Sequence, residues 1–179
     1  GEADIGITLS SVPEAGIRVE LRYPSPVLAV MASDHPLAGQ RQVSFSQVTA
    51  YPLALPLKNS SLRHLLDISC SRQGLRYTPV LQSNHADALV SFAAAGGGGV
   101  AFYGEISVRT RLKAQSIVAI PLRDREMNER YLEVQTMAGR NLPEAGKAFV
   151  QHLVAAIQAA GGGLGRSEAV TGESGSNPE

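Results

Sequence analysis

Two strand-to-helix junctions carry the side chains best suited to binding chemistry. At each, three small polar residues separate a short apolar strand from an amphipathic helix. They are Asn59, Ser60 and Ser61 at the first junction, and Ser83, Asn84 and His85 at the second. Such residues cap helix N-termini, whose free N–H groups and partial positive charge also bind carboxylate, sulfate or phosphate. Both junctions therefore indicate an anion site, although capping alone would explain either one.

Alternating strands and helices position these junctions. Short apolar runs predict strands, and apolar residues spaced three or four apart predict helices. The predicted strands are 3–8, 16–22, 26–32, 51–56, 77–82, 100–103, 116–121 and 131–136. The predicted helices are 60–73, 84–95, 104–112 and one starting at 142–143, with a short helix or turn at 43–48 and a charged connector at 123–130. This rhythm is typical of an α/β fold with a substantially parallel sheet, in which ligands bind beyond the carboxyl ends of strands.

Three of these helices have an apolar face that predicts core contacts. The predicted core residues are Leu62, Leu65, Leu66 and Cys70; then Ala86, Leu89, Val90 and Ala93; then Phe149, Val150, Leu153, Val154 and Ile157. Ser83 or Asn84 with Asp87 approximates a capping box. Arg63, one turn inside its helix, is interpreted as a solvated side chain.

A run of four glycines follows the helix predicted at 84–95. Phosphate-binding loops place glycine between a strand and the following helix, whereas here the order is helix, glycine, strand. Residues 96–99 are therefore predicted to end the helix and form a tight turn. Beyond residue 161 the chain becomes rich in Gly, Ser and Glu, and we expect a disordered tail at 161–179.

Composition excludes several classes of function. The 179 residues are 44% hydrophobic, and 16 basic side chains balance 16 acidic ones, so the chain lacks the basic footprint of a nucleic-acid binder. The single cysteine, Cys70, excludes an internal disulfide and is interpreted as a buried thiol. The four histidines lack metal-ligand spacing, and neither a metal nor a cofactor is expected. No apolar run is long enough to span a membrane, and no signal peptide is evident, so we expect a cytoplasmic protein.

An enzymatic reading has little support in the sequence. Ser60 or Ser61 near His64 suggests a nucleophile and a base, but no G-x-S-x-G elbow and no third member accompany them. We therefore expect a binding protein and no catalytic residues.

The order of several segments resembles the effector-binding domain of LysR-type transcriptional regulators. The segments are the strand at 3–8, VLAVM at 27–31 with DHPLA at 34–38, the stretches 51–66 and 80–102, and RNLPEAGKAF at 140–149. The resemblance extends from about residue 3 to residue 158. It implies an α/β, periplasmic-binding-protein-like (type 2) fold of two lobes with central mixed sheets and an effector between them.

The resemblance also implies a domain arrangement. Residues 1–23 and 129–160 would belong to the first lobe, and 24–128 would form the second lobe. Gly1 is followed almost at once by a strand of interior type, so we expect a chain that starts partway through a larger fold, with an incomplete first lobe. In this family a winged helix-turn-helix domain precedes the effector domain. DNA would be bound only through that absent domain, and the full-length protein would be a homo-oligomer.

Three groups of effector contacts follow from the resemblance. They are Thr8 and Leu9; Asn59, Ser60 and Ser61; and Ser83, Asn84 and His85. The implied effector is a small organic acid or another anion. A periplasmic-type solute-binding protein of a transporter remains the alternative, because it would share this fold.

Overall fold

The structure, a computed structural model, describes residues 3–10, 15–112 and 116–161. The strands in this part of the chain are β1 (Ile5–Ser10), β2 (Ile17–Pro24), β3 (Val27–Ala32), β4 (Leu53–Leu55), β5 (Leu81–Gln82), β6 (Val100–Gly104), β7 (Ile117–Pro121) and β8 (Tyr131–Met137). The helices are α1 (Phe45–Val48), α2 (Ser61–Arg72), α3 (Ala86–Ala94), α4 (Glu105–Leu112), α5 (Arg125–Asn128) and α6 (Glu144–Gly161). Apart from Gly161, the tail expected at 161–179 lies outside the described residues.

The chain divides into two compact units. One, here called the contiguous unit, is Ser25–Arg130; the other, the two-segment unit, combines Gly1–Pro24 with Tyr131–Glu179. Each has its own sheet, of five strands in the contiguous unit and three in the two-segment unit. Both polar junctions fall within the contiguous unit.

The sheet of the contiguous unit is mixed, with strand order β5-β4-β6-β3-β7. β4 runs parallel to β5 and β6, whereas β3 runs antiparallel to both β6 and β7. The strand–helix rhythm alone predicted a substantially parallel sheet, and β3 departs from that prediction. It precedes the first strand–helix–strand crossover of this unit, so no crossover fixes its direction.

Helices cover both faces of this sheet. Along β3, Val27, Ala29 and Met31 pack into one core cluster, while Leu28 and Val30 pack into the other. The first cluster receives side chains from α1, α2 and α5, and the second from α3 and α4. Because successive side chains of a strand point to opposite faces, a strand covered on both sides must be apolar throughout, as β3 is.

The predicted helix faces are largely confirmed in this unit. Leu62, Leu66 and Cys70 are buried on α2, and the Cys70 thiol donates to the carbonyl of Leu75 at 2.9 Å. Leu89, Val90 and Ala93 are buried on α3.

The glycine run at 96–99 ends α3, as predicted. Gly96, Gly97 and Gly98 have φ values of 81°, 71° and 75°. Residues with a side chain rarely adopt this left-handed conformation, so the run stops the helix and turns the chain into β6.

The strand predicted at 77–82 pairs only at Leu81 and Gln82. Pro79 has no N–H to donate to a ladder, and β5 lies at the edge of the sheet beside β4. The preceding residues therefore form a connection rather than a strand.

The two-segment unit is an antiparallel sheet, ordered β1-β8-β2, with α6 packed against β2. Val150 of α6 is buried, but Phe149, predicted to be in the core, is 52% exposed. At about 100° per residue, Phe149 lies at the margin of the stripe formed by Val150, Val154 and Ile157. In the described part of the chain, no helix is long and apolar enough to cross a membrane.

Candidate functional site

A cavity of about 330 Å³ lies where α2 and α3 begin, and is here called the junction cavity. Its lining combines amide and hydroxyl groups from both junctions with apolar side chains of β6 and the two helices. The lining residues are Pro56, Asn59, Ser60, Leu62, Ser83, Asn84, Ala86, Leu89, Phe102 and Tyr103. It forms at this place because β4 and β5 are parallel neighbours, so the polar residues after both strands meet at one edge of the sheet.

The helix N-termini at the junction cavity are not capped by their own side chains. Ser60 is the N-cap of α2 and His85 is the N-cap of α3, and neither makes a side-chain cap hydrogen bond. The capping arrangement predicted for Ser83 or Asn84 is wrong, because both side chains bond elsewhere. The Ser83 hydroxyl accepts from the N–H of His85 at 3.0 Å, and Asn84 Oδ1 accepts from the N–H of Leu57 at 3.2 Å.

At the start of both helices, therefore, the N-cap side chain makes no cap hydrogen bond. The first N–H groups of a helix have no partner within the helix, and their partial positive charge attracts anions. The Asn84–Leu57 hydrogen bond also ties the two junctions to each other. The arrangement therefore suits an anion more than a cation.

Arg63 is buried, contrary to its interpretation as a solvated side chain, and only 5% of it is exposed. Nη1 donates to the carbonyl of Pro56 at 3.2 Å and to Oε1 of Gln82 at 2.9 Å, and Nε donates to Oδ1 of Asp67 at 3.0 Å. Pro56 and Gln82 stand at the ends of the two strands that lead into the junctions. Arg63 thus holds both strand ends beside the first turn of α2.

Asp67 and Tyr77 complete this cluster. The Tyr77 hydroxyl donates to Oδ1 of Asp67, which also accepts from Arg63. Burial by itself raises the pKa of Asp67, but hydrogen bonds from Tyr77 and Arg63 outweigh it and hold that pKa below its usual value. The pKa of Tyr77 is raised, first by burial and then by its bond to the carboxylate.

A second buried arginine was also missed in the sequence. Arg130 closes the segment predicted as a charged connector, yet it is 6% exposed. Its Nη2 donates to the hydroxyl of Ser61, the first residue of α2, at 3.3 Å. Nothing in the local sequence distinguishes Arg130 from the solvated charges around it.

The eight predicted effector contacts are divided between the two units. Asn59, Ser60, Ser83 and Asn84 line the junction cavity; Ser61 and His85 adjoin lining residues without lining it themselves. Thr8 and Leu9 lie on β1, in the two-segment unit. Thr8 Oγ1 is buried and has no hydrogen-bond partner among the described residues, and Leu9 is 38% exposed.

The described residues contain no group of three or more His, Cys, Asp or Glu side chains that could hold a metal ion. The donors at the junction cavity are amides and hydroxyls, which interact with organic ligands through hydrogen bonds.

A sequence profile described as the LysR substrate binding domain matches residues 1–158. This chain belongs to the LysR substrate-binding domain family. The periplasmic-binding-protein-like type 2 fold implied by the resemblance is thereby confirmed. So is the class of function, the small-molecule-sensing domain of a LysR-type transcriptional regulator. A comparison with curated proteins found no match.

Solved LysR-family structures have the same fold as this LysR substrate-binding domain. The effector-binding domain of QuiR, in complex with shikimate, is 17% identical with a TM-score of 0.67, and the match covers 88% of this chain and 73% of that one. The regulatory domain of Synechocystis PCC6803 CcmR, in complex with 2-PG, is 19% identical with a TM-score of 0.69, covering 87% and 74%. HinK, a LysR family transcriptional regulator from Pseudomonas aeruginosa, is 17% identical with a TM-score of 0.66. That match covers 87% of this chain and 53% of HinK, so this chain spans about half of that regulator.

Proposed function

We propose that this LysR substrate-binding domain senses a small organic acid or another anion, held at the junction cavity. The observation that carries the proposal is the meeting of two helix N-termini without side-chain caps at one cavity lined by Asn59, Ser60, Ser83 and Asn84. N–H groups and hydroxyls would donate to the acidic group, and the asparagine amides would fix its orientation. The volume suits a small molecule rather than a peptide.

The apolar part of the cavity would accept the remainder of the ligand. Phe102 and Tyr103 of β6 lie between the two helices, and the Tyr103 hydroxyl donates to the carbonyl of Ala86 at 2.5 Å. That bond fixes a ring at the wall where α3 begins. The complexes of QuiR with shikimate and of CcmR with 2-PG support a small-molecule ligand for this chain as well.

Regulation would follow from a difference in ligand affinity between two states of a homo-oligomer. DNA would be bound by a separate winged helix-turn-helix domain, and the family supports a cytoplasmic location. A catalytic role is not proposed. Among the described residues, no hydrogen bond joins the hydroxyl of Ser60 or Ser61 to the His64 ring.

The proposal is tested by isothermal titration with small carboxylates and phosphate esters on the parent and on an Asn59→Ala/Ser60→Ala double variant. We expect binding by the parent and at least about fivefold weaker binding by the double variant, because two donors are lost. Stability should fall by less than the roughly 1 kcal/mol usual for a lost cap, because Ser60 makes no side-chain cap bond.

Ser71→Ala, an exposed change on the same helix, is the matched control and should bind like the parent. Binding of no acid by the parent would exclude an anion sensor. Equal affinity in the parent and the double variant would exclude this cavity as the site.

A further inference from the structure

Arg130 is a buried cation without a counter-ion in the described part of the chain. It is 94% removed from solvent, and its one side-chain hydrogen bond goes to the neutral hydroxyl of Ser61. Burial lowers the pKa of the guanidinium, and no carboxylate offsets that effect. Buried charges in proteins are normally paired, because an isolated charge loses its hydration without compensation.

The surrounding backbone holds this guanidinium in place. The N–H of Ser25 donates to the carbonyl of Arg130 at 2.8 Å, which fixes the main chain where the side chain departs. Gly104 ends β6 beneath it: a Cβ there would stand 3.0 Å from Oγ of Ser25 and 3.5 Å from Nη1 of Arg130. The absence of a side chain at Gly104 therefore leaves the room that Ser25 and the guanidinium occupy.

The guanidinium adjoins the positive end of α2. Ser61, its partner, lies between Ser60 and Leu62, which both line the junction cavity. The Ser61 hydroxyl accepts from Arg130, so its own proton is available for another acceptor. Within the part of the chain that the structure describes, one of the five N–H donors of Arg130 has a side-chain partner. Among the described residues, a full positive charge and a helix N-terminus thus meet with no acidic side chain paired to the charge.

We propose that Arg130 is the specificity-determining residue of this domain and pairs with the carboxylate or phosphate of the ligand beside the first turn of α2. The inference rests on the proposed anion-sensing function and names the group that selects an acid over its neutral analogue. An anion there would supply the missing counter-ion, and the planar guanidinium can donate two parallel hydrogen bonds to either group. A neutral amide of the same shape would leave the charge uncompensated.

The test measures the melting temperature of the parent, Arg130→Gln and Arg130→Lys with phosphate, acetate or acetamide, each at matched ionic strength in chloride. Arg125→Gln is the control, because the Arg125 side chain lies on the same connector but is 84% exposed. We expect phosphate and acetate, but not acetamide, to raise the melting temperature of the parent and of Arg125→Gln. Arg130→Gln should bind both anions about tenfold to a hundredfold more weakly than the parent. The affinity of Arg130→Lys should lie between those of the parent and Arg130→Gln.

The outcomes separate the two proposals. If the parent responds and Arg130→Gln responds equally, Arg130 is not the selecting residue, while the anion-sensing function stands. If the parent responds to neither anion, the proposed function fails and this inference fails with it.

A measurement on the parent covers the case in which Arg130→Gln does not fold. The Nε–H resonance of Arg130, assigned by comparison with Arg130→Lys, should shift as phosphate is titrated. A resonance that stays in place while the melting temperature rises would overturn the inference.

Discussion

At the scale of single residues, the buried arginines of the contiguous unit have different roles. Arg63 is paired with Asp67 and bonded to two strand ends, so it positions the junctions. Arg130 has no acidic partner in the described chain and is left to a ligand. A buried charged side chain that is paired with an opposite charge inside the protein stabilises the fold, whereas one without a counter-ion indicates a ligand-binding site.

The Arg63–Asp67–Tyr77 cluster predicts a pH-dependent stability. Hydrogen bonds hold the pKa of Asp67 below its usual value, so the folded state binds the Asp67 proton less readily than the unfolded state does. The stabilisation is complete above the ordinary pKa of about 3.9 and is lost as the pH falls through the lower folded value. Asp67→Asn should therefore lower the free energy of unfolding by roughly 1 kcal/mol at pH 7. The effect is no larger because the carboxylate is 44% exposed and partly screened by solvent.

Urea unfolding of the parent and Asp67→Asn across a pH series measures this difference. The two curves should begin to converge as the pH falls below the ordinary pKa of an aspartate, and should meet only below the lower folded pKa of Asp67, where the parent carboxylate becomes protonated. Asp34→Asn, an exposed carboxylate outside the cluster, should follow the parent throughout. A stability gap that is the same at pH 7 and at the lowest pH would show that charge plays no part.

The sequence predicted the local residues of the candidate site and missed the two arginines whose contacts are long-range. Asn59, Ser60, Ser83 and Asn84 were identified because a strand, small polar residues and a helix follow one another directly. Arg63 and Arg130 bond to residues 19 and 69 positions away, to Gln82 and Ser61 respectively. Burial of such a side chain depends on partners brought together by the fold, and neither helical periodicity nor local charge reports it.

At the scale of elements, the connection between α3 and β6 is tightly packed at Gly99. A Cβ on Gly99 would stand 2.7 Å from a ring carbon of Phe92 and 3.1 Å from its carbonyl oxygen. Gly99 follows three glycines in the left-handed conformation and leads directly into the buried strand β6. Phe92 thus packs closely over Gly99 at the point where the chain enters β6.

Gly99→Ala should destabilise the protein by about 1–3 kcal/mol, because Phe92 and the backbone must move apart. Differential scanning calorimetry measures the change. Gly39→Ala is the control: its added Cβ meets nothing within 4 Å, and its effect should be neutral or slightly stabilising. Equal melting temperatures for the two variants would show that Phe92 can move aside without destabilising the protein.

The elements also show why sequence patterns predict whether a segment is a helix or a strand better than they predict which elements it packs against. Helix faces followed from spacing alone, as Leu89, Val90 and Ala93 do on α3. The direction of β3 depends on which strands it joins, and its uniformly apolar sequence is the same for either direction. Phe149 was wrongly predicted to be buried, because it is apolar like the neighbouring residues of the stripe. Its angular position on the helix, at about 100° per residue, places it at the margin of that stripe.

At the scale of the whole molecule, the contiguous unit has the features of an independent domain. It is one uninterrupted stretch, Ser25–Arg130, with core clusters on both faces of a five-stranded sheet. Its first and last residues are joined by the hydrogen bond from the N–H of Ser25 to the carbonyl of Arg130. The two-segment unit, in contrast, needs both of its segments, because β8 pairs with β1 on one side and β2 on the other.

A fragment of residues 25–130 should therefore fold alone and unfold cooperatively in urea, with the same midpoint by circular dichroism and tyrosine fluorescence. A fragment of residues 131–161 should remain unfolded, because β8 then lacks both partners. The isolated 25–130 fragment contains the junction cavity and Arg130, so phosphate should also raise its melting temperature. Non-coincident transitions in that fragment would show that the contiguous unit depends on the rest of the chain. A cooperative fragment that ignores phosphate, beside a full chain that responds, would place the essential anion contacts in the two-segment unit, where Thr8 and Leu9 lie.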